Sequence, residues 1–473
     1  MYEKKIISFL FVFCIVGSLP NFLHNTYAEN LNQNYYTILL QNENNTENFI
    51  ESLKSYGEQL QITYTIPEIG IVQIYGDQKQ VEKIQLDPSV EEITITGSGV
   101  IPQQIVVDTP KALLAPNSPS IWDLQWDVKE VTNDGKSYEK FQGTHNVTVG
   151  IVDSGIDTTH PDLKESVVAG SKNLVPKGGF RGEEQDETGD INYLEDKRGH
   201  GTHTAGLVAA NGVMKGVAPG VGIRSYRVFG GGSAEPAWIA KAIVEASKDD
   251  VDVINLSLGS YLINGTIYFK DGTKKNESTD IKAYKKAIQY ARKMGSVVVA
   301  AAGNDGLDVT NKNDMNNFLK EQFAKDDITY KGIGMDAPAS LPDVVTVTST
   351  GPTYELSLFS NYGKNFVDIT APGGDLRLFN KYGIDIWMKD GYYQKEQVIS
   401  TSPNGGYFYG AGTSTATPKV SGALALIIDK YKFKNSPQKS TRFLYEFGVE
   451  KSDLQRPNFS GKGQLNIYNL LSK

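Results

Sequence analysis

Three short motifs place an aspartate, a histidine and a serine among glycines. The motifs are VDSGID around Asp153, GHGTHTAG around His200 and GTSTATP around Ser414. A serine hydroxyl is a weak nucleophile until a base removes its proton, and an imidazole can take that proton and return it to a leaving amine. A carboxylate beside the imidazole holds its tautomer and stabilises the imidazolium. The three residues therefore predict nucleophilic acyl transfer, with Ser414 as the nucleophile, His200 as the base and Asp153 as the orienting carboxylate.

A fourth motif, AAAGND, places Asn304 directly after an apolar strand pattern. Its amide could donate to the acyl oxygen on which negative charge develops, beside the backbone N–H of Ser414. Taken singly, each residue has a structural alternative. A lone histidine is often structural, an aspartate at a strand end is often a cap, and Asn304 could be a turn residue. Four such residues, each beside glycines, favour a catalytic site.

The elements that must position these side chains follow from the hydrophobic pattern after about residue 121. Strand-like apolar runs alternate there with amphipathic helical patterns; the runs cover residues 147–152, 251–258, 296–302 and 343–347, and the helical patterns 237–248 and 280–294. This alternation predicts an α/β fold with a parallel sheet covered by helices on both faces. Functional groups of such sheets gather beyond the carboxyl ends of the strands. Asp153 ends a strand there, whereas His200 and Ser414 open helices, whose N-termini favour developing negative charge.

The first 120 residues have a different organisation. Residues 1–28 combine two lysines, an apolar run and a small residue before Glu29, which predicts a secretory signal peptide. The alternative is a membrane anchor, but the apolar run is shorter than the roughly 20 residues that span a bilayer. Residues 29–100 show the pattern of a small α+β domain. Residues 101–120 contain four prolines and predict a linker that contains or adjoins a maturation site.

Composition excludes several other classes of function. The 47 Lys and Arg residues against 55 Asp and Glu give a net charge of −8, which argues against a nucleic-acid partner. The single cysteine, Cys14, lies in the predicted signal peptide, so neither a disulfide framework nor a cysteine-ligated metal is expected. The predicted chemistry needs no cofactor. Residues 178–197 are rich in acidic side chains and predict a solvated loop, or alternatively a structural calcium site.

The order Asp, His, Asn, Ser within these motifs resembles the subtilisin-like serine proteases, or subtilases, over about residues 121–473. The resemblance implies a twisted, mostly parallel sheet flanked by helices as the catalytic domain. Residues 29–100 then look like the family's ferredoxin-like propeptide, which acts as intramolecular chaperone and inhibitor until it is removed. Two segments would bind the substrate backbone, namely Gly232-Ser233-Ala234 and Ser257-Leu258-Gly259.

The same resemblance places Asp336 at the floor of the S1 pocket, which receives the side chain before the scissile bond. A carboxylate there would pair with a guanidinium or an ammonium group, and arginine offers the stronger bidentate match. Cleavage after Arg or Lys is therefore expected. Two alternatives stay open, since Asp336 could belong to a solvated loop and Asp305 is a second candidate for the pocket carboxylate. Lys419 replaces a histidine common in the family, and the sequence does not explain it.

A signal peptide, a propeptide, an arginine-type pocket and long insertions resemble the lantibiotic leader-peptide processing proteases. That subgroup cuts a modified precursor peptide after a Pro-Arg-like site. The resemblance implies a secreted, extracellular, monomeric endopeptidase with no membrane anchor after signal removal, which removes its own propeptide and cleaves a lanthipeptide leader after a basic residue. One alternative is a broad-specificity degradative subtilase. Another is an inactive subtilase fold that binds peptides, against which the intact set of four residues argues.

Overall fold

The structure is a computed structural model that describes residues 33–57, 60–97, 107–108, 120–324, 327–451 and 457–473. The predicted signal peptide, with Cys14, and most of the predicted linker lie outside these ranges. Within the described ranges, no helix is both long and apolar enough to cross a bilayer.

Residues 33–97 form a small α+β unit. Along the chain its elements are β1 (Gln33–Leu40), α1 (Thr46–Leu53), β2 (Gln61–Ile66), β3 (Ile71–Asp77), α2 (Gln78–Ile84) and β4 (Val90–Ile95). The four strands form an antiparallel sheet in the order β2-β3-β1-β4. Asp77 caps α2, since its carboxylate accepts a hydrogen bond from the backbone N–H of Gln80. The small α+β domain predicted for this region is present, although most side chains of β2 are only partly buried.

The rest of the chain is built around a nine-stranded sheet. The strands after β4 are β5 (Val107–Asp108), β6 (Thr148–Asp153), β7 (Lys172–Asn173), β8 (Gly222–Arg227), β9 (Val253–Leu256), β10 (Ser260–Tyr268), β11 (Lys274–Asn276), β12 (Val297–Ala301), β13 (Thr329–Ala337), β14 (Val344–Thr350), β15 (Ile369–Pro372), β16 (Val398–Ser402), β17 (Gly406–Gly410), β18 (Val449–Glu450) and β19 (Gln464–Leu465).

The helices after α2 are α3 (Ile121–Leu124), α4 (Trp126–Thr132), α5 (Lys136–Lys140), α6 (His200–Ala209), α7 (Pro236–Lys248), α8 (Ser278–Met294), α9 (Lys312–Ala324), α10 (Arg377–Lys389), α11 (Tyr393–Glu396), α12 (Thr413–Tyr431), α13 (Pro437–Phe447), α14 (Pro457–Ser460) and α15 (Ile467–Leu471). The nine-stranded sheet has the order β18-β19-β15-β14-β12-β9-β6-β8-β7. All of its pairings are parallel except β18 with β19. The predicted α/β fold with a mostly parallel sheet is confirmed.

Helices α6 and α12 pack together in the core and carry the candidate histidine and serine. Every residue of α6 is buried, and α12 is buried from Thr413 to Asp429. A surface helix shows an apolar stripe on one side, whereas a helix that is surrounded by protein is buried all round. Because both helices are enclosed in this way, core packing fixes the positions of their first residues, His200 and Thr413.

A separate antiparallel sheet has three strands in the order β11-β10-β13. Its long pair β10 and β13 runs from Ser260 opposite Ala337 to Tyr268 opposite Thr329, so Tyr261 lies opposite Asp336. Helix α9 covers this sheet through a small apolar cluster of Ile263, Ile267, Met315 and Leu319. The sequence analysis did not predict this sheet. The register of β10 and β13 places Asp336 opposite Tyr261.

The small unit lies on helices α7 and α8. Its apolar side chains join the cluster that covers these helices, with Leu39, Ile66, Ile69 and Ile71 in one core with Trp238 and Tyr284. Ion pairs border this contact: the ammonium of Lys248 is 2.6 Å from Glu68, and that of Lys282 is 2.8 Å from Glu91 and 3.0 Å from Glu92. The two units therefore share apolar burial and complementary charge.

A buried ion pair explains Lys419. The Lys419 ammonium on α12 is 2.8 Å from a carboxylate oxygen of Asp127 on α4, and neither side chain is exposed. The ammonium also donates a hydrogen bond to the carbonyl oxygen of Thr415, at 2.9 Å. The lysine therefore joins α12, the helix that carries Ser414, to α4.

We expect Lys419→Met to lower the free energy of unfolding by about 3–5 kcal/mol, because an unpaired buried carboxylate remains at Asp127. The double variant Lys419→Met with Asp127→Leu should recover most of that loss, since two apolar side chains can replace a buried pair. Urea unfolding in a Ser414→Ala background, which prevents self-digestion, measures both. Lys320→Met, at an exposed lysine of α9, is the matched control. A double variant as unstable as the single one would contradict this account.

Candidate active site

The carboxylate of Asp153 and the imidazole of His200 are hydrogen-bonded. Nδ1 of His200 lies 2.7 and 2.8 Å from the two carboxylate oxygens. Asp153 is the last residue of β6, and His200 is the first residue of α6, directly after Gly199 at φ 78°. With Nδ1 donating to the carboxylate, the other ring nitrogen is the one that can accept a proton. That atom, Nε2, is buried and has no hydrogen-bond partner among the described residues.

The same motif contains a second histidine, His203, whose surroundings differ from those of His200. Its ring is buried against Phe408, with 4.4 Å between the ring centroids. Burial lowers the pKa of His203 to about 3, and the positive charges of His200 and Lys419 act in the same direction. His203 is therefore a neutral core residue at ordinary pH.

Ser414 and Asn304 meet around Gly412. Ser414 is the second residue of α12. A Cβ atom at Gly412 would lie 2.9 Å from Oγ of Ser414 and 3.2 Å from Nδ2 of Asn304, so no larger residue fits between the two groups. The amide oxygen of Asn304 accepts hydrogen bonds from the backbone N–H and the hydroxyl of Thr413, at 2.8 and 2.9 Å. These two bonds direct the amide nitrogen of Asn304 toward the serine.

Asp196 braces the start of α6, a role that the sequence analysis missed. Its carboxylate is buried and accepts hydrogen bonds from the N–H of Gly199 at 2.8 Å and from the N–H and hydroxyl of Thr202 at 2.7 Å. It also accepts from the hydroxyl of Ser154, the neighbour of Asp153, at 2.7 Å. One carboxylate thus fixes both partners of the Asp153–His200 bond. An aspartate shortly before a helix start is a capping signal that could have identified it.

The interpretation of residues 178–197 as a solvated loop is wrong for its buried acids. The carboxylate of Glu187 is fully buried and accepts two hydrogen bonds from Arg227, each of 2.7 Å, because a buried charge requires a partner. Lys197 lies 3.0 Å from the same carboxylate. Within the described residues, no three His, Cys, Asp or Glu side chains converge in a way that could hold a metal ion. A structural calcium ion stays a prediction.

The two segments predicted to bind the substrate backbone each contact a residue in or directly beside a catalytic motif. Gly232 donates its N–H to Glu184 and accepts a hydrogen bond from Arg198 at 2.8 Å. Ser233 and Ala234 follow it, and Glu235 separates them from α7. The hydroxyl of Ser257 donates to the carbonyl oxygen of Ser414 at 2.8 Å. Leu258 is buried and Gly259 follows it, directly before β10.

Asp336 is buried rather than part of a solvated loop, so that alternative is wrong. Its side chain lies between two glycines: a Cβ at Gly259 would be 3.2 Å from one carboxylate oxygen, and a Cβ at Gly303 would be 2.7 Å from the other. Gly303 directly precedes Asn304. Burial raises the pKa of Asp336 well above its ordinary value, and the nearby charge of Asp305 raises it further. Among the described residues, no ion pair provides Asp336 with a cation.

A hydrogen-bonded aspartate–histidine pair, with a serine at the start of a neighbouring helix and an amide beside its hydroxyl, is the arrangement of a serine hydrolase. The comparisons with known proteins specify this class. The subtilase family model matches residues 144–446. The chain belongs to the subtilase family of serine proteases.

Two relatives share much of the sequence. The epidermin leader peptide-processing serine protease (EpiP) of Staphylococcus epidermidis is 41% identical over 472 residues, which cover 98% of this chain and 99% of the relative. The nisin leader peptide-processing serine protease (NisP) of Lactococcus lactis subsp. lactis is 46% identical over 363 residues, or 76% of this chain. In the second case, the aligned part spans 51% of the relative.

Solved structures agree with these relatives. The crystal structure of EpiP from Staphylococcus aureus has a TM-score of 0.82 and 40% identity, and covers 93% of this chain and 98% of that chain. The crystal structure of NisP from Lactococcus lactis has a TM-score of 0.68 and 44% identity, and covers 75% of this chain and 95% of that chain. The similarity to EpiP therefore extends over nearly the whole fold.

Replacing Asp196 by asparagine should lower kcat about tenfold, because small misplacements of a catalytic group are costly. In one orientation of the new amide, its NH2 group faces the donors of Ser154 and Gly199. In the other orientation, it faces the donors of Thr202. One set of hydrogen bonds is therefore lost in either case. The measurement is kcat per active site, with sites counted by a fluorophosphonate that reacts with the activated serine. Asp186→Asn, at a side chain that is 80% exposed, is the control. Equal kcat values in both variants would show that Asp196 does not position His200.

Proposed function

We propose that this protein is a secreted serine endopeptidase that cleaves the leader from a lanthipeptide precursor after a basic residue. Asp153, His200 and Ser414 form its triad, and Asn304 is its oxyanion donor. The observation that carries the proposal is the buried carboxylate of Asp336, which lies beside Gly303 and lacks a cation among the described residues. The names of EpiP and NisP, which process leader peptides, support the same substrate class.

The reaction follows from the roles proposed for these side chains. Nε2 of His200 removes the proton of Ser414, and the serine oxygen attacks the carbonyl carbon of the scissile amide. The amide nitrogen of Asn304 and the backbone N–H of Ser414 donate to the oxyanion that forms. The imidazolium, stabilised by Asp153, then protonates the leaving amine. Water attacks the acyl-enzyme in the second half of the reaction and regenerates Ser414.

Substrate recognition combines backbone pairing with a charged pocket. An extended peptide would lie between Gly232-Ser233-Ala234 and Ser257-Leu258-Gly259 and pair with both as an added strand. The side chain before the scissile bond would then reach Asp336. A guanidinium there neutralises a buried carboxylate and can bond both of its oxygens. An uncharged side chain would leave that charge uncompensated.

The N-terminal regions have the roles predicted from the sequence. Residues 1–28 direct export, and residues 29–100 are a propeptide that inhibits the enzyme while it stays on α7 and α8. Its apolar contacts and its ion pairs with Lys248 and Lys282 support this role. Removal of the propeptide, by cleavage in or near residues 101–120, yields an extracellular, monomeric enzyme of residues 121–473.

Replacing Ser414 by alanine should leave the secreted chain with its propeptide attached, because the chain loses the nucleophile that processes it. The same variant should leave a lanthipeptide precursor uncut, whereas the wild type cuts it at one bond. Relatives lose on the order of 10⁶ in rate on this change, a value measured on another protease of this family. Gel mobility and mass spectrometry of both chains measure the outcome.

Ser472→Ala, at an exposed serine near the C-terminus, is the control for this test. Processing of the Ser414→Ala chain at the wild-type rate would exclude Ser414 as the nucleophile. A wild type that degrades casein as readily as the precursor would replace leader processing with broad-specificity degradation.

Selectivity for arginine should depend on pH through Asp336. Because burial raises its pKa well above the ordinary value, the carboxyl group is charged above that raised pKa and neutral below it. The ratio of kcat/KM between matched Arg and Leu peptides is therefore high at alkaline pH and falls as the pH is lowered through the raised pKa. Any ionisation that affects both peptides equally cancels in the ratio, since both use the same triad.

Asp336→Asn should lower this ratio roughly 10–100-fold and abolish its pH dependence, because a hydrogen-bonded charge pair is lost. Asp327→Asn makes the same change of charge at an exposed residue two positions before β13 and serves as the control. A wild-type preference for Leu, or a ratio that Asp336→Asn leaves unchanged, would refute the acidic pocket.

A further inference from the structure

Asn361, in the loop between β14 and β15, uses every hydrogen-bonding position of its side-chain amide. Its amide oxygen accepts from the backbone N–H of Asp305 at 3.2 Å and of Leu307 at 3.0 Å. Its amide nitrogen donates to the hydroxyl of Tyr261 at 2.8 Å and to Asp336 at 3.1 Å. A carboxamide has two N–H donors and two acceptor lone pairs. All four are occupied, and the residue is fully buried, so its orientation is fixed.

One side of this amide holds the loop that carries Asn304. In addition to the two bonds to its side chain, the backbone N–H of Asn361 donates to the carbonyl oxygen of Gly303 at 3.0 Å. These three bonds attach Asn361 to residues 303–307, on both sides of Asn304. On its opposite side, the loop is bonded to α12, because Gly303 donates its N–H to the hydroxyl of Thr413 at 3.2 Å. The position of the loop that carries Asn304 therefore depends on Asn361, while Thr413 directs the Asn304 amide.

The other side of the amide holds the pocket carboxylate. The N–H that Asn361 donates to Asp336 favours the charged form of that carboxyl group, against the effect of burial. Tyr261, which accepts the second N–H, lies opposite Asp336 across β10 and β13 and donates its own hydroxyl to Asp305 at 2.5 Å. Asp305 and Asp336, the two candidates for the pocket carboxylate, thus belong to one network with Asn361 at its centre.

We propose that Asn361 is a positioning residue that joins recognition of the basic side chain to alignment of the oxyanion donor. It orients Asp336 with one of its side-chain N–H groups, and the Asn304 loop with its amide oxygen and backbone N–H. The inference rests on the proposed function. It adds that one residue outside the triad determines both the selectivity for arginine and the turnover per active site.

Asn361→Ala should change two quantities that a purely structural residue would not change. First, kcat per fluorophosphonate-titrated site falls about tenfold for both the Arg and the Leu peptide, because the oxyanion loop loses two of its bonds. Second, the Arg/Leu ratio of kcat/KM falls about tenfold relative to the wild type. The rise of this ratio with pH also occurs at a higher pH than in the wild type. The pH shift follows because Asp336 has lost a donor that favours its charged form.

Asn361→Asp is the conservative counterpart. It keeps an oxygen for the N–H groups of Asp305 and Leu307, so it should recover at least about threefold in kcat over Asn361→Ala. Its second oxygen faces Asp336, and two such carboxyl groups share a proton until a higher pH. The Arg/Leu ratio of this variant should therefore continue to rise to a higher pH than in the wild type. That profile decides the question if Asn361→Ala yields no titratable enzyme.

Asn313→Ala, at an exposed asparagine of α9, is the control for both variants. Wild-type kcat per site together with a wild-type Arg/Leu ratio in Asn361→Ala would overturn the proposal, as would an unaltered pH profile in Asn361→Asp. Failure of the acidic pocket itself appears separately, as an Asp336→Asn variant with unchanged selectivity. In that case kcat per site still tests whether Asn361 positions the oxyanion loop.

Discussion

The hydrogen bond between the buried carboxylate of Asp153 and Nδ1 of His200 is the constraint that the rest of the site depends on. A carboxylate without water needs hydrogen bonds to offset its desolvation, and this one is fully buried at the end of a central strand. The parallel sheet places that strand end beside the first turn of α6. Asp196 then holds both ends of the bond, through Ser154 on one side and Gly199 on the other. The geometry of the base is thus built into the core.

The buried charged side chains differ in whether they have an oppositely charged partner. Glu187 has Arg227 as its partner, and Lys419 has Asp127. Both pairs connect segments that are distant in the sequence, and both are self-sufficient. Asp336 differs, since its neighbours are two glycines, an amide N–H and a second carboxylate nearby. Under the proposed function, a buried carboxylate with neutral donors is complementary to a substrate side chain that brings the cation.

The elements and the catalytic motifs could be predicted from the sequence, because they depend on local signals. Apolar runs predicted the central strands, and helical patterns predicted α7 and α8 close to their observed bounds. The β11-β10-β13 sheet could not be predicted in this way, since its pairing joins residues about 70 positions apart along β10 and β13. The family resemblance suggested Asp336 as a site residue, but its burial between Gly259 and Gly303 depended on tertiary contacts.

The sequence by itself determined which residues could perform acyl transfer and which fold class would present them, because residue type and hydrophobic period are properties of the chain alone. Tertiary structure decided the rest. It gave His200 and His203 different surroundings. It buried and hydrogen-bonded acids of a segment that the sequence predicted to be solvated, and it paired Lys419 with Asp127. It also placed the amide of Asn361 between Asp336 and the loop that carries Asn304. The physical reason is that burial and long-range pairing set the energy of a charge or an amide, and neither is defined until the chain has folded.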